Sequence, residues 1–348
     1  MYISGHLEIL DNILAILPND YFNHEYENVN VILLKHGMKY PDNPCGIYDN
    51  IDNKHVMLRE SKLCKFKNIF KLFNEIEYGE SQIFQVHLGF FSHVHSMSTS
   101  PENNMLKIRN KILMSIIGYA LLSVYDKNVF NKKPKFSPNI FWIGIILHCI
   151  TDSYSPAHTI RGEKTEYTRK TIFKERDPNK IERLKFHENI KTLAKKDSLY
   201  SSRDDFYKDL TELSLNKFPM KNQYWKIYKL FKFEYDCNKL VKNIINFNNI
   251  KIKTKENKRS DITAFQYYGD QSKILHLRLD FLNYVKNNTE MYDRMMIECI
   301  EIMNIYKEVL ETQDVNKFIN KLFSFLFKNT YNINKKYLKN KTNKIINI

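Results

Sequence analysis

Apolar positions recur at helical spacing in several stretches of this chain. Residues 6–17 place Leu7, Leu10, Leu14 and Leu17 on one stripe ahead of Pro18, which predicts an amphipathic opening helix with His6 in its first turn. Residues 62–77 also read as helix. A further helix is predicted from about Leu106 to Tyr125, burying Ile112, Ile116, Ala120 and Val124. After a Lys/Pro-rich loop over 131–138, residues 140–152 carry Ile140, Ile143, Leu147 and Ile150 at spacings of 3, 4 and 3, the period of a helix facing a core. Pro156 pushes Ser155 out of helical geometry, so that helix should stop near Ser153. A last long helix is predicted from about Phe265 to Glu311, with Leu282, Val285, Met295, Ile302 and Val309 among its apolar positions.

Between these lie stretches of different texture. Residues 20–60 are rich in Asn, Asp and Pro and read as loops. Residues 159–264 are highly charged, with weak amphipathic pattern, and read as a helical insertion with loops. Residues 332–348 contain five lysines and no acid, a basic tail. The organisation expected is a discontinuous helical core over 1–158 and 265–311, an insertion over 159–264, and a basic C-terminal segment over 312–348.

Composition sharpens the fold class. The chain has 348 residues, 43% of them hydrophobic and 14% aromatic, enough for a sizeable core. Only 9 Gly and 9 Pro argue for long helices with short connections, hence an all-α fold. The formal charge of +15 favours anionic partners such as nucleic acid, phosphate esters or acidic lipid surfaces. Five cysteines, with no CxxC pair, suggest neither a disulfide framework nor a thiolate metal site, and fit a reducing compartment. No signal peptide or membrane-length apolar run is visible, so a soluble, cytoplasmic protein is expected.

The candidate chemistry is concentrated after the 140–152 pattern. His148 and Asp152 stand one helical turn apart and project from the same face. The turn expected at Pro156 can bring His158 back over the same mouth. An imidazole, a carboxylate and a second imidazole are donor types that zinc selects. His276 and Asp280 repeat the four-residue spacing, and two such pairs on two helices suit a metal site in a bundle core. Three more histidines, His87, His93 and His95, fall within nine residues. There is no phosphate-cradling Gly loop and no GxSxG.

The motif His148-x-x-x-Asp152-x-x-x-Pro156-x-His158 resembles the central motif of the superfamily of zinc-dependent phospholipases C and single-strand-specific zinc nucleases. His276-x-x-x-Asp280 is similar to that family's next motif, and Asp42, in Gly-x-x-Tyr-Pro-Asp, to the loop aspartate of its bacterial phospholipases. His6 resembles the family's histidine just inside the N-terminus, and the amine of Met1 stands at the family spacing before it. One family ligand remains to be supplied between Asp42 and His148; the order of preference is His95, then His87, then His55, with His93 facing away.

The resemblance implies a multi-helix phospholipase C/nuclease-like bundle holding two to three zinc ions in a cleft. Asp42, His95, His148 and Asp152 would hold the first, and His158, His276 and Asp280 the second. Met1, His6 and a shared Asp152 would hold a third. It further implies a zinc phosphodiesterase in which Asp42 orients the attacking water, with Arg161 a candidate for meeting a phosphate. The substrate expected first is a phospholipid, with peripheral contact to an anionic membrane. A single-stranded nucleic acid is the alternative, which the charge and the 22 tyrosines favour. A metal-stabilised binding protein without turnover is a third possibility.

Overall fold

In a computed structural model of the protein, the residues described are 1, 3–22, 27–42, 89–98, 104–125, 135–162, 189–196, 200, 202–213, 262–267, 276 and 279–333, with single positions between 228 and 241. They are mostly α-helical, with one two-stranded sheet among them. In chain order the helices are α1 (Ile3–Ile16), α2 (Glu27–Lys39), a 3-10 segment (Gly89–His95), α3 (Met105–Val124), α4 (Phe141–Asp152), α5 (Arg203–Glu212), α6 (Leu282–Lys286), α7 (Thr289–Thr312) and α8 (Val315–Phe325). Among the described residues no helix is long and apolar enough to cross a membrane.

α4 is the axis of the fold. All twelve of its residues are buried, so it is apolar around its whole circumference apart from the side chains that carry chemistry. α2, α3, α7 and the 3-10 segment pack around it. Trp142 stacks on Tyr119 of α3 with ring centroids 6.0 Å apart. α4 meets α2 backbone to backbone, at Gly37 and Gly144. A Cβ on Gly37 would overlap the Phe141 carbonyl oxygen; one on Gly144 would overlap the Leu34 carbonyl and lie 2.7 Å from the Met38 nitrogen. Only glycine at both positions permits so close a crossing.

The helices start and stop for local reasons. Asn104, Asn288 and Asp314 accept from the backbone amides of Lys107, Met291 and Lys317, capping α3, α7 and α8. α4 ends at Asp152, with Ser153 as its C-cap, as Pro156 requires. β1 (Thr159–Arg161) follows at once and pairs antiparallel with β2 (Ile262–Phe265), Thr159 opposite Phe265.

Two expectations fail here. Residues 20–60 are not all loop, because 27–39 form α2; its buried face includes Leu33, Leu34, Gly37 and Met38. Nor is there one helix from 265 to 311. That stretch opens as the end of β2, forms the short α6, breaks at Asn287-Asn288 and restarts as α7. α1 also begins earlier than expected, at Ile3, and keeps His6 in its first turn. The helix expected over 62–77 and the histidines His55 and His87 lie outside the described residues.

Candidate metal centre

Five histidines, three aspartates and an amine meet at the end of α4. Asp152 stands at the centre and its two oxygens face different sets of groups. Oδ2 lies 2.9 Å from His95 Nδ1, 2.9 Å from His148 Nε2 and 3.1 Å from His158 Nδ1. Oδ1 accepts from the Met1 amine and lies 3.2 Å from His6 Nε2. Beyond it, Asp280 Oδ1 is 2.6 Å from the same amine and 3.3 Å from His158 Nε2, while Asp280 Oδ2 is 3.9 Å from His276 Nε2. On the other side Asp42 lies 3.8 Å from His6 and His95 and 3.9 Å from His148.

These donors fall into three groups whose ligand atoms all lie within 4.8 Å of one another: His6, Asp42 and His148; His95, His148 and Asp152; and His158, His276 and Asp280. The structure thus gathers Met1, His6, Asp42, His95, His148, Asp152, His158, His276 and Asp280 from five segments of chain. Of the three candidates for the histidine between Asp42 and His148, His95 lies at the centre, and His55 and His87 are outside the described residues. His93 is buried but, among the described residues, joins none of the three groups.

The local structure explains the convergence. His148 and Asp152 point the same way because they are one turn apart on α4. The turn at 153–158 swings His158 back beside Asp152, and its carbonyl is held by the Gln266 amide at 2.7 Å. The carbonyl of Gln266 accepts from Ser98 at 2.7 Å, which ties the segment carrying His95 to the same ribbon. Ser96, in left-handed conformation at φ 53°, sends its hydroxyl to the Cys149 carbonyl at 2.6 Å and fixes that segment on α4. The Gly37–Gly144 crossing lies one turn before His148 and brings the end of α2 against it.

Hydrogen bonds to backbone fix which ring nitrogen is available. His148 Nδ1 lies 2.7 Å from the Met38 carbonyl, and His95 Nε2 lies 3.2 Å from the Pro41 carbonyl. A carbonyl only accepts, so each ring carries hydrogen there and turns its opposite nitrogen, His148 Nε2 or His95 Nδ1, toward Asp152. The Pro41 contact also holds the neighbouring Asp42, the most exposed member at 11%, beside the cluster.

The electrostatics match a cation site. Burial drives His6 and His95 down to about 3, so both rings are neutral, as ligands must be. Burial opposes charge on the Met1 amine and on His148 too. At the amine Asp152, Asp280 and Asp42 outweigh it and raise the value to about 10; at His148 Asp152 and Asp42 do the same. Burial would raise Asp152 and Asp280, but the surrounding imidazoles and the amine hold both well below the usual carboxylate range. Asp42 is pushed up to about 7, chiefly by burial. His6 Nε2 and Asp42 Oδ2 are buried, make no hydrogen bond to the described residues, and face each other at 3.8 Å. A divalent cation held there would satisfy both atoms at once, and the imidazole and carboxylate donors suit one.

Two neighbours have other tasks. Cys149 faces away from the cluster, 3.5 Å from the Tyr331 hydroxyl, and burial pushes its thiol up to about 11. Arg161, a candidate for phosphate binding in the sequence, is occupied by structure. It donates to the Ser153 carbonyl at 2.8 Å and hydroxyl at 3.0 Å, with its guanidinium 4.1 Å from the Tyr154 ring centre.

No family model, curated protein or solved structure matches this chain. The function must therefore be argued from the centre itself.

Proposed function

We propose that this protein is a zinc-dependent phosphoric ester hydrolase of phospholipase C type, with the phospholipase C/nuclease fold. The observation that carries the reading is the position of Asp152, with both carboxylate oxygens ringed by nitrogen donors and with two further His/Asp groups on either side. A single structural zinc needs four ligands in a closed shell. Nine donors arranged around a shared carboxylate suit a cluster of two or three ions instead.

In this reading Asp42, His95, His148 and Asp152 Oδ2 hold the first zinc, and His158, His276 and Asp280 the second. Met1, His6 and Asp152 Oδ1 hold the third. Bound there, zinc supplies a Lewis acid for the phosphoryl oxygens and lowers the pKa of water into the neutral range. The chain's own residues do the rest. His148 and His95 are oriented by Met38 and Pro41, and burial keeps water from competing for them. Asp42, the most exposed of the nine donors at 11%, is the group that the resemblance assigns to orienting the attacking water and taking its proton on a carboxylate oxygen.

The substrate class follows from the resemblance of the Tyr-Pro-Asp loop to that of the phospholipases. The +15 charge favours the second reading, a single-strand nuclease. One panel tests both. The purified chain is incubated with phosphatidylcholine vesicles and with a single-stranded oligonucleotide, each with and without chelator. Chelator-sensitive release of the head group supports the first reading, and chelator-sensitive cleavage of the oligonucleotide the second. Absence of both, in a protein loaded with zinc, refutes a hydrolase on either substrate.

A further inference from the structure

His6 reaches the centre from α1, and a side chain of α4 fixes its ring. Thr151, fully buried and one residue before Asp152, places its hydroxyl oxygen 2.8 Å from His6 Nδ1. The one hydroxyl hydrogen of Thr151 is engaged with backbone: Oγ1 lies 3.0 Å from the Leu147 carbonyl and 2.9 Å from the His148 carbonyl, and neither can donate. Toward His6 the hydroxyl is therefore the acceptor, and Nδ1 carries the ring hydrogen. The opposite nitrogen, Nε2, lies 3.2 Å from Asp152 Oδ1 and 3.8 Å from Asp42 Oδ2. Those two carboxylates pull the other way. They favour a hydrogen on Nε2, which would make the ring a donor to them and occupy the lone pair that a metal requires.

We propose that Thr151 is a positioning residue, whose hydroxyl selects the Nδ1–H tautomer of His6 against the pull of Asp152 and Asp42 and so keeps Nε2 available as a metal ligand. The inference rests on the metal-centre reading and deepens it. His6 stacks on His148, with centroids 3.9 Å apart, so its plane is already set; what remains to be chosen is which nitrogen holds the hydrogen. His148 and His95 have that choice made by backbone carbonyls, whereas His6 has only a removable hydroxyl. His6 is thus a donor that a single side-chain substitution can uncouple from His148 and His95.

The test uses the full chain as wild type, Thr151→Val and Thr151→Ser. Each is stripped with chelator, shown to be folded by circular dichroism, and titrated with zinc against a chromophoric competitor. Metal content is read separately by elemental analysis. Loss of such an orienting partner costs about 10–100-fold in metal affinity. Thr151→Val is expected to weaken one zinc site by that factor and leave the others unchanged, and Thr151→Ser, which restores the hydroxyl, to bind as the wild type does. If Thr151→Val does not fold, Thr151→Ala, which adds no bulk, takes its place with the same expectation. Wild-type affinity at every site in the hydroxyl-free variant overturns the proposal, as does a serine variant as weak as the valine. A wild type that takes up no zinc at all overturns the metal centre itself, and the two failures are thereby told apart.

Discussion

Asp152→Asn perturbs the centre most directly, because it removes the negative charge shared by all its parts and leaves the shape of the side chain. The cost can be worked at two levels. Stripped of metal, the protein buries the Met1 ammonium between Asp152 and Asp280. Removing one partner of a buried ion pair costs about 3–5 kcal/mol. Asp280 stays 2.6 Å from the amine, so the loss falls at the low end, about 3 kcal/mol. For a chain of this length that is a fall in Tm of roughly 4 °C. The sign with pH follows as well. Asp152 is held below its ordinary value, so its contribution is present above about pH 4 and is lost as pH falls toward its folded value. The stripped wild type should therefore lose stability below about pH 4 more steeply than the variant. With metal added, one amide must replace a carboxylate that serves two of the three sites. Zinc content should fall by at least one ion per chain and turnover should vanish. The assays are elemental analysis, thermal unfolding of chelated protein, and hydrolysis of the better substrate. An Asp152→Asn protein with wild-type zinc content and turnover refutes the shared-carboxylate reasoning.

Gly144→Ala forces a methyl group into the α2 backbone and should cost more than the usual overpacking penalty of about 1–3 kcal/mol, read by denaturant unfolding; an unchanged midpoint refutes the backbone crossing. The Met1 amine, raised from 8.0 to about 10, contributes about 3 kcal/mol that is fully present below pH 8 and lost as pH rises through 10. Urea unfolding of chelated protein should show that loss between pH 7 and 10.5, and acetylation of the amine should abolish it; a slope indifferent to acetylation counts against the buried ammonium. A residue added before Met1 converts the amine to an amide and should lower zinc stoichiometry by one, whereas a C-terminal tag should not; equal zinc content in the two forms removes the amine from the ligand set. Arg161→Lys should lower stability by about 1 kcal/mol through the lost Ser153 bonds and leave KM unaltered; a large rise in KM returns Arg161 to the substrate.

α4 and its donor side chains were legible in the sequence because helical periodicity alone places His148 beside Asp152, and proline chemistry alone ends the helix before His158. The helix over Met105–Val124 was legible for the same reason, a long apolar pattern with a cap in front. What periodicity could not give was α2. Its stretch contains Asn28, Asn30 and Gly37, which read as loop residues, yet Gly37 is there because α4 presses against it. That requirement is tertiary and leaves no local trace. The break between α6 and α7 did leave one, the Asn287-Asn288 pair, of which Asn288 caps the second helix. The donor between Asp42 and His148 was open in the sequence, where His95, His87 and His55 all stand between them. The 3-10 turn over Gly89–His95 and a bond to the Pro41 carbonyl hold His95 in the centre. Thr151 went unnoticed because a mid-helix threonine carries no motif; its partner lies 145 residues away.

The two-stranded ribbon has a bearing on how this protein can change. β1 leaves directly after His158, and β2 returns directly opposite it, with Gln266 bonded to the His158 carbonyl. The chain between the strands therefore departs from one place beside the donor cluster and comes back to the same place. Closing a longer loop adds only about 0.6 kcal/mol for each doubling of its length. An insertion within residues 162–261 accordingly adds little closure cost and preserves the spacing of the donors on either side, whereas the residues of that stretch buried in the core, among them Ile190, Leu193, Phe206 and Leu210, must stay. The ribbon makes this a natural site for insertion, a place where evolution or an engineer can add a segment without disturbing the donors beneath it.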